Sequence, residues 1–552
     1  MKTKYSRPMW GGSLQSMQDA FTPEDLSTDE VMIQKTTEKF VTNTILANME
    51  QAETHDYTFA KDAFQEAGSL GLQAVEIPEA YGGFGLGKHV AGLVAEGIGN
   101  GGGSFSVAFN IHAGVGTTPF IYYGTEEQKA TYLPKLGSGE WVGAYALTEP
   151  SAGSDALKGK ARATWNDQDG VWQLTGEKQW ITNAHIAEVY VVFANSDEGM
   201  TAFIVERTQD GVTLGPEEKK MGINGSSTAT LLLEDVVVNP DRVLGEIGQG
   251  HKIALNTLNL ARLKLAFNNI GASKRALKLS VNYGLERKQF QQSLVNFPLI
   301  QEKLANMNTA LFGVESFAYG TAGSVENALA SSEGMNSSSI VRAFIPDCAM
   351  CKTYASEVLG EISDEAVQIH GGYGFMQEYE VERLYRDARI NRIFEGTNEI
   401  NRMASAKALL KQDVHVNENP ISDTDVNGQW IAATERIMSE VLEGLSLTDE
   451  VSEKQEVLRM VADSFATVAV MRSSYTRTVK HPTELKEWMT RVICEEGYEN
   501  VESNMTRLWL ALDQPEEANR VKRQSRTPER SDLTKVKRKI SERVIEAKNY
   551  IS

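Results

Sequence analysis

The chain has 552 residues and a mass of 60.8 kDa, with 41% apolar and 23% charged residues. At roughly 150 residues per domain this is material for three or four domains with a large core. No run approaches the ~18 apolar residues of a membrane span. The first 30 residues mix both charge signs without an apolar stretch, and three cysteines cannot build a disulfide framework, so the expected setting is the cytoplasm and not a membrane or a secreted fluid. The net charge of −19 argues against nucleic-acid binding, which needs a basic surface. Residues 520–552 nevertheless hold eleven Lys/Arg against four Asp/Glu. Such a tail either contacts anionic lipid peripherally or pairs with acidic helices of its own chain.

Residues 1–28 read as a loose arm, because Pro8, Gly11, Gly12 and Ser13 break any periodicity. Residues 29–140 read as a helical domain: Phe64, Ala67 and Leu70 recur at helical spacing and Gly71 closes that run. The texture changes over 141–250. Short runs starting at Val189, Thr201 and Thr230 are β-rich, and Asp169-Gly170, Asp210-Gly211 and Asn224-Gly225 supply turns. No helices alternate with these runs, so the spacing predicts a central antiparallel barrel or sandwich and not a parallel sheet. Residues 251–410 return to long helical stretches, as in a bundle. The polar segment 411–428, with Pro420 and Gly428, reads as a linker, and 429–552 as an additional helical domain marked by Ile431, Ile437, Val441 and Leu442. The fold class is therefore mainly α with a central antiparallel β-domain and extra C-terminal helices.

Two motifs carry little chemistry. Gly97-Ile-Gly99-Asn-Gly-Gly102 matches GxGxxG by letter, but it follows a helical stretch and not a strand, so it reads as a helix-to-helix connection. Cys348-Ala-Met-Cys351 has no second pair or histidine cluster beside it, and i, i+3 on one helix face reads as two buried thiols. The eight histidines are scattered, and no metal site is expected.

Three segments carry more. In Ala146-Leu147-Thr148-Glu149-Pro150-Ser-Ala-Gly153-Ser154-Asp155, small residues and hydroxyls follow a strand-like run, where backbone and side-chain donors can meet a ligand. In Gln179-Trp180-Ile181-Thr182-Asn183 an indole, a flat wall suited to an aromatic cofactor, sits beside another hydroxyl. In Gln368-Ile-His-Gly371-Gly372-Tyr-Gly-Phe375 the paired glycines permit close approach to a ligand. Downstream, Glu395 follows an apolar pair and precedes Gly396, an unusual place for a carboxylate that only solvates a surface. Partial burial there would raise its pKa and make it a stronger base.

Together these segments resemble the acyl-CoA dehydrogenase family, most closely its very-long-chain-like branch with bacterial FadE-type members, over residues 30 to 410 and more weakly beyond. The first segment fits the family signature apart from Lys158, where a small residue is usual. The resemblance implies FAD as cofactor, a fatty acyl-CoA thioester as substrate and electron-transferring flavoprotein as electron acceptor. It implies that Glu395 is the catalytic base. The flavin would be held by Tyr145, Leu147, Thr148, Gly153 and Ser154, with Trp180, Ile181 and Thr182 beside its ring. Arg287, Gln368, Gly371 and Gly372 would meet the FAD of a neighbouring subunit, and Thr397 and Glu399 its adenine end. The substrate would meet Ser154, Asn259, Arg262, Phe394, Glu395 and Gly396. Some members carry the base one residue before the helix arginine; here that position is Ala261, which cannot accept a proton. The implied reaction is α,β-dehydrogenation of medium- or long-chain acyl-CoA to trans-2-enoyl-CoA in fatty acid β-oxidation. The extension at 429–552 implies a homodimer. Small residues at Gly114, Gly116 and Thr117 would permit a deep acyl tunnel. Two rival readings share the fold: an oxidase reoxidised by oxygen, and a non-catalytic flavoprotein assembly factor.

Overall fold

The structure, a computed structural model, describes residues 20–331, 337–411, 425–445, 447–523 and 527–552. It divides into two compact units, 27–271 and a second made of 272–552 with the residues up to 26. The boundary falls inside one continuous helix, Gly250–Glu286.

In the 27–271 unit, the first helix starts at Thr28 because Ser27 caps it: the Ser27 hydroxyl accepts the Glu30 N–H, and the Glu30 carboxylate accepts the Ser27 N–H at 2.7 Å. A reciprocal cap of this kind is worth about 1 kcal/mol. Helices Tyr57–Ser69, Lys88–Gly99, Gly103–Ile111 and Glu126–Ser138 follow. The GxGxxG letters lie where one helix ends at Gly99 and the next begins at Gly103, as a helix connection requires.

Eight strands come next: β1 (Gly143–Ala146), β2 (Arg162–Asn166), β3 (Val171–Thr182), β4 (Val189–Ser196), β5 (Gly199–Glu206), β6 (Val212–Leu214), β7 (Thr228–Val238) and β8 (Val243–Leu244). Their order is β6-β7-β3-β2-β4-β5-β8, with β1 paired to β4. The neighbours are antiparallel except at β4, which takes β1 in parallel, Gly143 opposite Val189, and meets β2 in parallel at Arg162 and Asn195. The expected antiparallel domain therefore carries a parallel seam. Strand β4 is an unbroken apolar run from Val189 to Ala194 because both its faces are covered there. Tyr190, Val192 and Ala194 join one core with Leu174, Phe203 and Leu231, while Val189, Val191 and Phe193 join another with Phe120, Leu133 and Ile253.

In the other unit, long helices Pro298–Ala330 and Ile345–His370 precede the shorter Glu380–Ala388 and Asn398–Lys411. Cys348 and Cys351 are both buried, as the helical spacing predicted. Most of the expected linker, 412–424, lies outside the described residues, and the next helix begins at Val426. Helices Gln455–Lys480, Glu484–Ala511 and Leu533–Ala547 complete the additional region. Of the expected arm, residues 1–19 lie outside the described residues, and 20–26 are tied down: Glu24 pairs with Arg477 and Lys486, and Asp25 with Lys480. Two residues of the basic tail pair with one acidic helix, Arg530 with Glu499 and Lys537 with Glu496, while Ile540 and Val544 are buried. No helix among the described residues is long and apolar enough to cross a membrane.

Candidate active site

In the 27–271 unit, the hydroxyl-rich segment leaves β1 and turns at once. The Glu149 N–H donates to Ala152 O at 3.2 Å and the Ala152 N–H to Glu149 O at 3.0 Å, closing a turn over Pro150 and Ser151. Gly153 and Ser154 emerge from it exposed, and Thr148 is half-buried. The Gln179 N–H donates to Thr148 O at 2.9 Å, so the segment lies against the strand that carries Trp180 and Thr182. Tyr145 packs on Phe193 and directs its hydroxyl to Ala254 O, 3.4 Å away.

Strand β3 loses register with β7 between Lys178 and Ile181. Trp180 sits in this bulge with φ +58° and is 58% exposed, whereas Ile181 returns its side chain to the core. A bulge that re-aims one large side chain outward, in a conformation costly for a non-glycine residue, is the behaviour of a functional position. An isolated indole in a strand would otherwise be core. Asn259 and Arg262 are both buried on the Gly250–Glu286 helix.

Two residues not singled out in the sequence anchor this half. Lys178 is 1% exposed and donates to Glu149 Oε1 at 2.6 Å and to Leu147 O at 3.3 Å. The Glu149 carboxylate also accepts the Lys160 and Ala161 N–H groups. Burial pushes the Glu149 carboxyl up, but Lys178 and those N–H groups outweigh it and hold it below the usual range. Burial pulls Lys178 down against the attraction of Glu149. His112 fixes the start of β1: its Nδ1 accepts the Gly143 N–H at 3.0 Å, which places the ring proton on Nε2, facing Gln73 Oε1 and Leu136 O. Burial lowers the His112 pKa to about 4.

In the other unit, the Arg287 guanidinium lies 5.3 Å from the centre of the Tyr373 ring, so the structure brings Arg287 to the Gly371–Phe375 turn. That turn is fixed by His370, which stacks on Tyr283 at 4.1 Å and accepts the Tyr283 hydroxyl at its carbonyl. Gly371 has φ +60° and ψ −138°, a region open only to glycine. A Cβ at Gly153, Gly371 or Gly372 would meet no atom of the chain within 4 Å. Packing against the chain therefore does not require these small residues, and the space beside them is open. Gln368 is exposed beside them.

Glu395 is half-buried with φ +56°, and Gly396 follows at φ +85°. Two consecutive left-handed residues turn the chain sharply before the Asn398–Lys411 helix, and only the first carries the penalty of a side chain. Phe394 flanks the turn, half-buried. The Thr397 hydroxyl accepts the Ile400 N–H at 3.3 Å. Glu399 is held below the usual carboxylate range, first by its own backbone N–H and then by the Thr397 hydroxyl. Lys352, Asn398 and Asn401, also unremarked in the sequence, surround Gly396. The signal for Lys178 and Lys352 was position: Lys178 shares a strand face with Trp172 and Leu174, and Lys352 shares a helix face with Cys348 and Leu359.

Comparison with known proteins matches the chain to the N-terminal, middle and C-terminal domains of acyl-CoA dehydrogenase at residues 27–140, 144–236 and 248–410. A Bacillus subtilis protein described as a probable acyl-CoA dehydrogenase is 40% identical over 530 residues, 90% of this chain and 89% of its own. The human mitochondrial very long-chain specific enzyme is 38% identical over 61% of this chain and 51% of its own. The crystal structure of an acyl-CoA dehydrogenase complexed with FAD from Bacillus anthracis superposes with a TM-score of 0.91 at 38% identity, covering 98% of this chain and all of that one. The chain belongs to the acyl-CoA dehydrogenase family.

Proposed function

We propose that this chain oxidises medium- to long-chain fatty acyl-CoA thioesters to trans-2-enoyl-CoA, using FAD, with Glu395 as the base that removes the α-proton. The observation that carries the reading is the Glu395–Gly396 turn. A half-buried carboxylate held in a left-handed conformation is an expensive arrangement for a residue with no task. FAD fits the residues present: the open glycines at 153, 371 and 372, the hydroxyls of Thr148 and Ser154, and the outward Trp180 are all features a flat dinucleotide cofactor would use. When bound, FAD supplies the acceptor, at flavin N5, for the hydride that leaves Cβ. Thr148, Ser154, Trp180 and Thr182 would hold its ring side, and Thr397 and Glu399 its adenine side. The Glu395 N–H would donate to the thioester oxygen, where negative charge develops as the α-proton leaves; a fixed donor of this kind is worth ~3 kcal/mol. Arg262, buried on its helix, would orient the thioester.

Electron-transferring flavoprotein would then accept the electrons. Turnover with that flavoprotein and little peroxide in air is the expected result; rapid peroxide release favours the oxidase reading. Glu395→Gln should keep its yellow colour and bind acyl-CoA, yet fail to bleach when substrate is added without oxygen. Bleaching at a near-normal rate refutes the assigned base.

The acyl length rests on the Gly114 region. Gly116 packs against Gly143 and the Thr117 hydroxyl bonds His112 O, so only Gly114, at a kink in the helix, leaves space. A flavin-bleaching series across acyl-CoA lengths tests it. A homodimer in the cytoplasm completes the reading. Phe290 and Phe375 are exposed on the two segments that Arg287 and Tyr373 bring together, an apolar surface suited to a subunit interface. Arg287→Ala should then lose FAD on gel filtration; unchanged flavin content counts against a shared cofactor site.

A further inference from the structure

The Glu395–Gly396 turn does not hold itself. It lies between two helices, and Gly396 O accepts two hydrogen bonds. One comes from Lys352 Nζ at 2.9 Å and the other from Asn401 Nδ2 at 2.9 Å. Lys352 is fully buried in the middle of the Ile345–His370 helix, and its ammonium also donates to Asn398 Oδ1 at 2.9 Å. Asn398 in turn donates to Ser356 Oγ and Glu357 Oε1, both at 3.0 Å. Arg402 grips the Glu357 carboxylate with two parallel bonds of 2.7 and 2.8 Å, and its Nε reaches Asp463 of the Gln455–Lys480 helix. A lysine completely removed from water costs stability unless its contacts return something. An apolar residue would fill the same helix face without that cost.

We infer that Lys352 is a positioning residue for the reaction: its ammonium, bonded to Gly396 O and Asn398 Oδ1, fixes the left-handed Glu395–Gly396 turn, and with it both the carboxylate that takes the α-proton and the N–H that meets the thioester oxygen. The inference rests on the reading of Glu395 as base. Lys352 touches neither substrate nor proton in this role. Its effect is on geometry, and a displacement of about 1 Å at a reacting group can cost on the order of 100-fold in rate. Asn401 adds a second, weaker hold on the same carbonyl.

The test uses the full-length FAD-loaded protein. Lys352→Met keeps the stem and the helix packing and removes the ammonium. Anaerobic stopped-flow bleaching by acyl-CoA should slow by about 100-fold. The half-saturating acyl-CoA concentration should stay within about threefold and flavin content per chain should stay at the wild-type level, since the variant leaves the segments that hold cofactor and thioester intact. A general loss of structure would move all three together. Bleaching within about twofold of wild type overturns the inference, as does a loss of affinity and flavin in proportion to rate. If Lys352→Met does not yield folded protein, Asn401→Ala decides: about tenfold slower bleaching with unchanged half-saturation supports the positioning of Gly396, and an unchanged rate overturns it. Glu395→Gln measured alongside separates the two claims. Inactive Glu395→Gln with normal Lys352→Met sinks the positioning role alone, and active Glu395→Gln sinks both.

Discussion

The buried pair Glu149–Lys178 should be more costly to break from one side than from the other. Lys178→Met removes the ammonium and leaves a carboxylate that is 4% exposed, but that carboxylate keeps the Lys160 and Ala161 N–H groups. Breaking a buried ion pair costs about 3–5 kcal/mol, and the two remaining donors put this variant near 3. Glu149→Leu leaves the Lys178 ammonium with only Leu147 O, at 3.3 Å, and also orphans the buried Ala161 N–H. The unpaired ammonium sits at the upper end of that range and the lost acceptor adds about 1–3 kcal/mol. At about 2–4 °C per kcal/mol, Lys178→Met lowers the melting temperature of its unit by about 6–12 °C and Glu149→Leu by more. Scanning calorimetry on flavin-stripped protein isolates this from the stabilisation that a bound cofactor adds. The double variant carries no buried charge at this pair and should melt above Glu149→Leu alone. Flavin retention should fall in all three, because the segment holding Thr148 and Ser154 is pinned through Leu147 and Glu149. Strictly additive effects, or a Lys178→Met protein that melts with wild type, refute the reasoning.

His112 predicts a pH window. Its folded pKa of about 4 lies below the ordinary imidazole value of 6.5, so between these values the unfolded chain binds the proton that the folded chain refuses. Stability contributed by the neutral ring is therefore complete above pH 6.5 and is lost as the pH falls toward 4, by roughly 3 kcal/mol over the window. Urea midpoints measured at pH 7, 5.5 and 4.5 check this, and His112→Gln should flatten that part of the curve. A second group sits at the C-terminus: Arg477 pairs with Glu315 at 2.6 Å while the Tyr550 hydroxyl donates to the same Glu315 oxygen at 2.5 Å. Arg477→Met should cost about 3–5 kcal/mol, and removing residues 550–552 less, since Lys274 and Arg477 both stay on Glu315. Calorimetry of the two variants ranks them. Co-sedimentation with anionic vesicles checks the tail; because Arg530 and Lys537 already pair with Glu499 and Glu496, binding at physiological salt should be weak, and strong salt-sensitive binding contradicts that packing.

The helices and strands were legible because they repeat a simple rule. Apolar spacing marked the helices on both sides of the β-domain, and the Asp-Gly and Asn-Gly pairs marked the ends of strands. The parallel seam at β4 was not legible. Strand direction depends on which neighbour a strand finds, and an apolar run covered on both faces looks the same either way. Residues 20–26 read as part of a loose arm because their neighbours lack periodicity. What fixes them is charge pairing with Arg477, Lys480 and Lys486, more than 450 positions away, which no local pattern records.

The candidate site divides along a similar line. The hydroxyls, the indole, the paired glycines and Glu395 could be picked out because their residue types are odd for their places. The conformations that make them useful could not. Trp180 and Glu395 are both left-handed, at φ +58° and φ +56°, and neither is a residue that prefers that region. Each has a neighbour held by at least one partner distant in sequence. For Trp180, in the β3–β7 bulge, it is Gln179, bonded to Thr148; for Glu395 it is Gly396, bonded to Lys352 and Asn401. Strained positions persist only when their surroundings over-determine them. The two buried lysines act on the surroundings of these residues and not on the residues themselves. Lys178 stands two positions before Trp180 on the same strand and donates to Leu147 O, beside Thr148, whereas Lys352 stands on another helix and donates to Gly396 O, beside Glu395.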